Sequence, residues 1–172
     1  MLGDLARTEG NNAAARPLLE EALALHKQNG KKEGICISLG NLGAIEYGEN
    51  DLLTANSHYT DALEAARELG NKIDISLSLD GFAALAAKHG DSERATRLAG
   101  VAERLRELIG YEMETADFSF RDAYLAELRA VLDEADFSIA YEQGRNLKLE
   151  GAVALCLEET DGENKTTIIK TA

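Results

Sequence analysis

The 172-residue chain carries 31 acidic against 18 basic residues, a net charge of −13. Such a surface repels phosphate backbones and anionic bilayers, so direct nucleic-acid binding and membrane adsorption are not expected. Hydrophobic residues make up 45% of the chain and Pro17 is its single proline, so a packed helical core is expected and wholesale disorder is not.

No apolar run reaches the ~18 residues of a membrane span. The start, Met1 to Asp4, lacks the basic and apolar regions of a signal peptide. The expected location is cytoplasmic. Cys36 and Cys156 each sit in an apolar helical pattern and are expected to be buried free thiols.

A 40-residue offset organises the chain. Gly30, Gly70 and Gly110 align at it, as do Gly10, Asn50 and Gly90, and Ala22, Ala62 and Ala102. Residues 2–9 resemble the second half of a helix, so the first unit, about 1–30, is incomplete. Each repeat buries its apolar face only against neighbours. Residues 2–25 are therefore expected to fray or to be covered, with a homodimer through this partial repeat as one way of covering them.

The second unit spans 31–70. Ile35, Leu39, Leu42 and Ile45 form one helical stripe. Tyr47 to Asp51 is a turn, with Asp51 placed to cap the next helix. Leu52, Ala55, Tyr59, Ala62, Leu63, Ala66 and Leu69 form the second stripe, which Gly70-Asn71 ends. Gly43, Ala55 and Ala62 let the two helices approach, while Leu42, Tyr59 and Leu63 fill the space between layers. The third unit, 71–110, repeats the plan with helices at about 74–89 and 92–109 around a Gly90-Asp91 turn.

The spacing then predicts a loop over 111–117, an amphipathic helix over 118–133 through Phe120, Ala123, Tyr124, Leu128, Val131 and Leu132, and shorter helices at about 135–143 and 149–159 separated at Gly144. Residues 111–159 thus read as C-terminal capping helices, and 160–172 as a flexible tail. The fold class is all-α: an α-α superhelix of antiparallel helical hairpins.

The run Leu39-Gly40-Asn41-Leu42-Gly43-Ala44-Ile45, continued by Asn50-Asp51, Ala55, Tyr59 and Ala62, resembles the tetratricopeptide consensus, although the period exceeds that repeat's usual length. Residues 90–103 and 105–110, the run Tyr124-Leu125-Ala126-Glu127-Leu128-Arg129, and the stretch from Phe137 to Leu155 are similar to the last repeat and closing segment of bacterial signal-transduction ATPases and LuxR-type regulators. That resemblance implies a regulatory, protein-binding module, without the ATPase and DNA-binding parts of that family.

Enzymatic chemistry is not expected. No glycine-rich loop carries Lys with Ser or Thr, so no phosphate cradle is expected. His26, His58 and His89 stand apart, and Glu20-Glu21 and Glu158-Glu159 diverge around their helices, so no metal or other cofactor is expected. Cys36 and Ser38 have no histidine nearby in sequence, although folding could bring His58 close.

The resemblance places ligand contacts on the first helix of each hairpin. It implies Asp4 and Arg7 from the first unit, Ile37, Gly40, Asn41, Ala44 and Tyr47 from the second, and Leu77, Asp80, Ala84, Ala87 and Lys88 from the third. Of these, Arg7, Asn41, Tyr47, Asp80 and Lys88 are the candidate ligand contacts. An open groove favours a protein or peptide partner. A closed pocket with convergent polar groups favours a small-molecule effector. A large apolar face over 2–25 favours self-association.

Overall fold

The computed structural model describes residues 6–7 and 10–157. The expected tail, Glu158-Glu159, Asp4 and most of the half-helix at 2–9 lie outside the described residues.

Eight helices follow one another among the described residues: α1 Asn12–Gln28, α2 Lys32–Gly48, α3 Leu52–Leu69, α4 Lys72–Lys88, α5 Ser92–Ile109, α6 Thr115–Val131, α7 Glu134–Arg145 and α8 Leu149–Leu157. None is long and apolar enough to cross a membrane. Their ends follow the local chemistry of the turns. Gly30, Gly70 and Gly110 leave their helices with φ of 63, 65 and 64°, the left-handed region that glycine enters without a Cβ clash. The second aligned series does the same, and Asn50, with φ 63°, is the non-glycine that takes this conformation. The side chains of Asn11, Asp51, Asn71 and Asp91 then accept backbone N–H bonds at the starts of α1, α3, α4 and α5.

Short turns make α2/α3 and α4/α5 antiparallel hairpins, and α3 packs on α4 to join them. This is a tetratricopeptide-like helical repeat. Helices α2 and α4 lie side by side, and α6 continues their layer beside α4. Helix α7 lies along α5, and α8 tucks against α5 and α4. The core runs without a break from Ala15 and Leu19 on α1, through Leu39, Tyr59, Leu79 and Leu98, to Tyr124, Leu128 and Phe137.

The C-terminal segment differs from the expected boundaries. Helix α6 starts at Thr115, so the loop is only 111–114, and Asp117 falls in the first turn, where a carboxylate suits the helix N-terminus. Its inward stripe is Phe120, Tyr124, Leu125 and Leu128. Ala123 faces solvent and Val131 is 69% exposed.

Gly144 does not separate two helices; it lies inside α7 and is buried. A Cβ there would run into the backbone of Arg97, and one at Gly100 would run into the backbone of Tyr141. The two glycines let α5 and α7 touch backbone to backbone.

Candidate functional site

Residues three and four apart on a helix share a face. On α2 that face is Ile37, Gly40, Asn41 and Ala44, and on α4 it includes Leu77 and Asp80. Tyr111, Met113 and Phe120 stand opposite, from the 111–114 loop and α6. Between these walls lies a cleft of about 550 Å³. Its volume falls in the range of ligand pockets, ~300–1,000 Å³.

Tyr59 reaches this cleft from behind. It is anchored on α3, and its ring passes between Gly43 of α2 and Gly81 of α4. A Cβ on Gly43 would lie 2.8 Å from the ring, and one on Gly81 would lie 2.6 Å from it. The ring therefore fills a slot that two glycines open between adjacent helices. Tyr59 lines the cleft. It is 2% exposed, and its hydroxyl has no hydrogen-bond partner among the described residues. Burial holds its pKa well above the usual tyrosine range.

The charge of the lining is one-sided. Among the described residues, Glu33, Asp74, Asp80, Glu114 and Asp117 line the cleft, against one basic side chain, Arg7. Arg7 is already neutralised by Asp117 at 2.5 Å. Asp74 accepts a 2.7 Å bond from Asn71 Nδ2, and burial raises its pKa, with Glu33 and Asp117 adding to the rise. No lysine or arginine pairs with Glu33, Asp74 or Glu114 among the described residues.

Asp80 closes the deep end. Arg106 Nη1 of α5 donates to its Oδ2 and the Tyr124 hydroxyl of α6 donates to its Oδ1, both at 2.5 Å. Burial pushes the Asp80 pKa up, and Arg106 and Tyr124 hold it back. This knot ties α4, α5 and α6 together and fixes the capping helix across the groove.

The candidate contacts therefore divide. Arg7, Asn41 and Asp80 line the cleft together. Tyr47 and Lys88 lie beyond it, against the capping helix. The Tyr47 ring meets Phe120 edge-on at 5.3 Å, and Lys88 sits 5.7 Å over Tyr47 and bonds Glu127. Ala84 is fully buried, so it presents no surface to the groove.

Tyr59, Glu33, Asp74, Tyr111, Glu114 and Asp117 were not among the sequence candidates. Glu33 and Asp74 extend the marked faces of α2 and α4, four residues before Ile37 and three before Leu77, so the helical period could have found them. It carries no mark of Tyr59, Tyr111, Glu114 and Asp117, which reach the cleft only through the tertiary fold.

Other titratable groups serve the scaffold. The buried Glu46 joins α1, α2 and α3 by accepting from Arg16 at 3.3 Å and meeting His58 Nδ1 at 2.6 Å. His58 is thus engaged with Glu46, while the Cys36 thiol donates to the Ala62 carbonyl at 3.2 Å. Both cysteines are buried and unpaired, as the sequence suggested. Burial raises both thiols, Cys156 to about 12. No group of three or more His, Cys, Asp or Glu is placed to hold a metal ion among the described residues.

Fold and cleft together define a helical-repeat protein with a ligand-sized groove along its first-helix layer. The model of the tetratricopeptide repeat family matches residues 1–68. Comparison with curated proteins and with solved structures gives no match. The repeat is one that generally mediates protein–protein interaction and is typically non-catalytic.

Proposed function

We propose that this chain is a protein-interaction module whose cleft receives an extended segment of a partner protein. The carrying observation is the cleft itself: apolar walls from Ile37, Ala44 and Leu77, interrupted by the polar groups of Arg7, Asn41 and Tyr59. Preformed walls of this kind lower the entropic cost of binding. The resemblance of residues 90–110 and 124–155 to bacterial signal-transduction ATPases and LuxR-type regulators supports a regulatory role, in which partner capture is passed to an effector domain.

A second reading, a pocket for a small-molecule effector, draws on the Asp80–Arg106–Tyr124 knot that holds α6 across the groove. Self-association through the N-terminal unit draws on Leu18 and Leu25 of α1, which are 36% and 49% exposed. Light scattering over a concentration series separates that reading from the other two.

The groove reading is tested with Gly40→Trp. A Cβ at Gly40 meets nothing within 4 Å, so a side chain can leave the helix there without a clash at its base, and Trp is expected to fill the cleft. Peptides selected from a random-sequence library on the native chain are expected to lose binding to Gly40→Trp. Peptides that bind both forms equally would contradict the reading.

A further inference from the structure

The cleft carries a polarity that the repeat fold does not require. Among the described residues five carboxylates line it; Asp117 is paired with Arg7 and Asp80 with Arg106, which leaves Glu33, Asp74 and Glu114 without a lysine or arginine partner. Glu33 and Glu114 stand exposed at its edges, and Asp74 is buried in its wall. The three are close enough to act on shared neighbours. Burial and then Glu33 raise Asp74, and burial, Asp117, Glu114 and Asp74, in that order, raise Tyr111. Gathering Glu33, Asp74 and Glu114 with no basic partner among the described residues costs free energy that a cation would recover.

An independent feature points the same way. The Tyr59 hydroxyl is shielded from solvent, without a hydrogen-bond partner among the described residues, on a side chain that lines this cleft. Leaving such a group unbonded costs free energy, and an N–H donor from a ligand would satisfy its lone pairs. Arg7 supplies an internal precedent. Its guanidinium is held in this cleft by Asp117, and its side chain is 12% exposed. The cleft already accommodates one guanidinium on an apolar stem.

We propose that the cleft selects a basic partner segment: an arginine or lysine side chain enters it, its cation meeting Glu33, Asp74 and Glu114 and its stem lying on Ile73 and Leu77. Tyr59 accepts a hydrogen bond from the same segment. The net charge of −13 steers such a segment toward the chain before contact. This inference rests on the reading that the cleft binds a partner segment.

The test uses the full chain and a random-sequence peptide library, with Gly40→Trp as the cleft-blocked control. The expected result is that Gly40-dependent peptides are enriched in Arg and Lys, and that the Glu33→Gln, Glu114→Gln double variant binds them about tenfold or more weakly. Tyr59→Phe should bind them more weakly while melting no lower than the native chain. Gly40-dependent peptides with no basic enrichment would overturn the charge selectivity and leave the groove reading standing. Absence of any Gly40-dependent peptide would overturn both. Agmatine, a free guanidinium compound, is the last probe. If it bound as tightly as the selected peptides, the partner would be a small amine and the peptide assignment would fall.

Discussion

Arg7 and Asp117 stand 110 positions apart in sequence and meet at 2.5 Å in the fold. The pair joins the N-terminal unit to the first turn of α6, and both residues line the cleft. The cleft is therefore bounded by two parts of the chain that touch only after the repeats have stacked. Arg7→Ala should cost about 1.5–3 kcal/mol, the range of a hydrogen bond to a charged group. It should also speed hydrogen exchange in the first turn of α6 and leave α2 and α3 unchanged. Uniform acceleration across all helices would show that the pair supports global stability instead.

Gly81 and Gly40 should respond to the same substitution with opposite sign. Gly81→Ala drives a Cβ into the Tyr59 ring, an overpacking expected to cost ~1–3 kcal/mol. Gly40→Ala meets open space inside a helix and should gain ~0.5–1 kcal/mol from helix propensity. Urea denaturation of the two variants checks both signs.

Asp80 is buried against Arg106 and Tyr124, with Arg106 only 5% exposed. Arg106→Met leaves the carboxylate buried with the Tyr124 hydroxyl as its remaining described donor, and should cost ~3–5 kcal/mol. Adding Asp80→Asn removes the stranded charge and should recover part of that loss. The double-mutant cycle fails this account if the second change makes the protein still less stable.

Asp74 provides a pH signature. Burial raises its folded pKa above the ordinary aspartate range, so the folded chain holds this proton more tightly than the unfolded one. Its favourable contribution is present below the unfolded pKa and is lost as pH rises through the folded value. At neutral pH the ionised Asp74 therefore destabilises the fold. Asp74→Asn should raise the Tm at neutral pH, and the gain should shrink as pH falls through the raised pKa toward the ordinary range. A gain independent of pH would show that the effect does not come from ionisation.

The features that local chemistry writes were legible in the sequence. Gly30, Gly70 and Gly110, and the caps at Asp51 and Asp91, follow from single residues at a fixed offset, so the hairpins could be placed to within a few residues. The tetratricopeptide resemblance, carried over position by position, also implied that Arg7, Asn41 and Asp80 share one side of the stack. It could not say what covers that side. Tyr47 and Lys88 share the helical faces that line the groove, yet α6 lies over them through Phe120 and Glu127. Contacts between distant elements were hidden for the same reason. Gly144 read as a break because its partner, the Arg97 backbone, lies on another helix. Tyr59 read as interlayer packing because the slot that carries its ring toward the cleft needs Gly43 and Gly81 from separate units.

The cleft between α2, α4 and α6 is the surface we propose meets the partner. The most direct test is a two-dimensional amide NMR titration of the full chain with a selected peptide. Chemical-shift changes are expected at Ile37, Asn41, Ala44, Leu77 and Tyr111, with α7 and the outer face of α3 unaffected. Changes concentrated on α3, α5 or α7, with the cleft residues silent, would contradict the account.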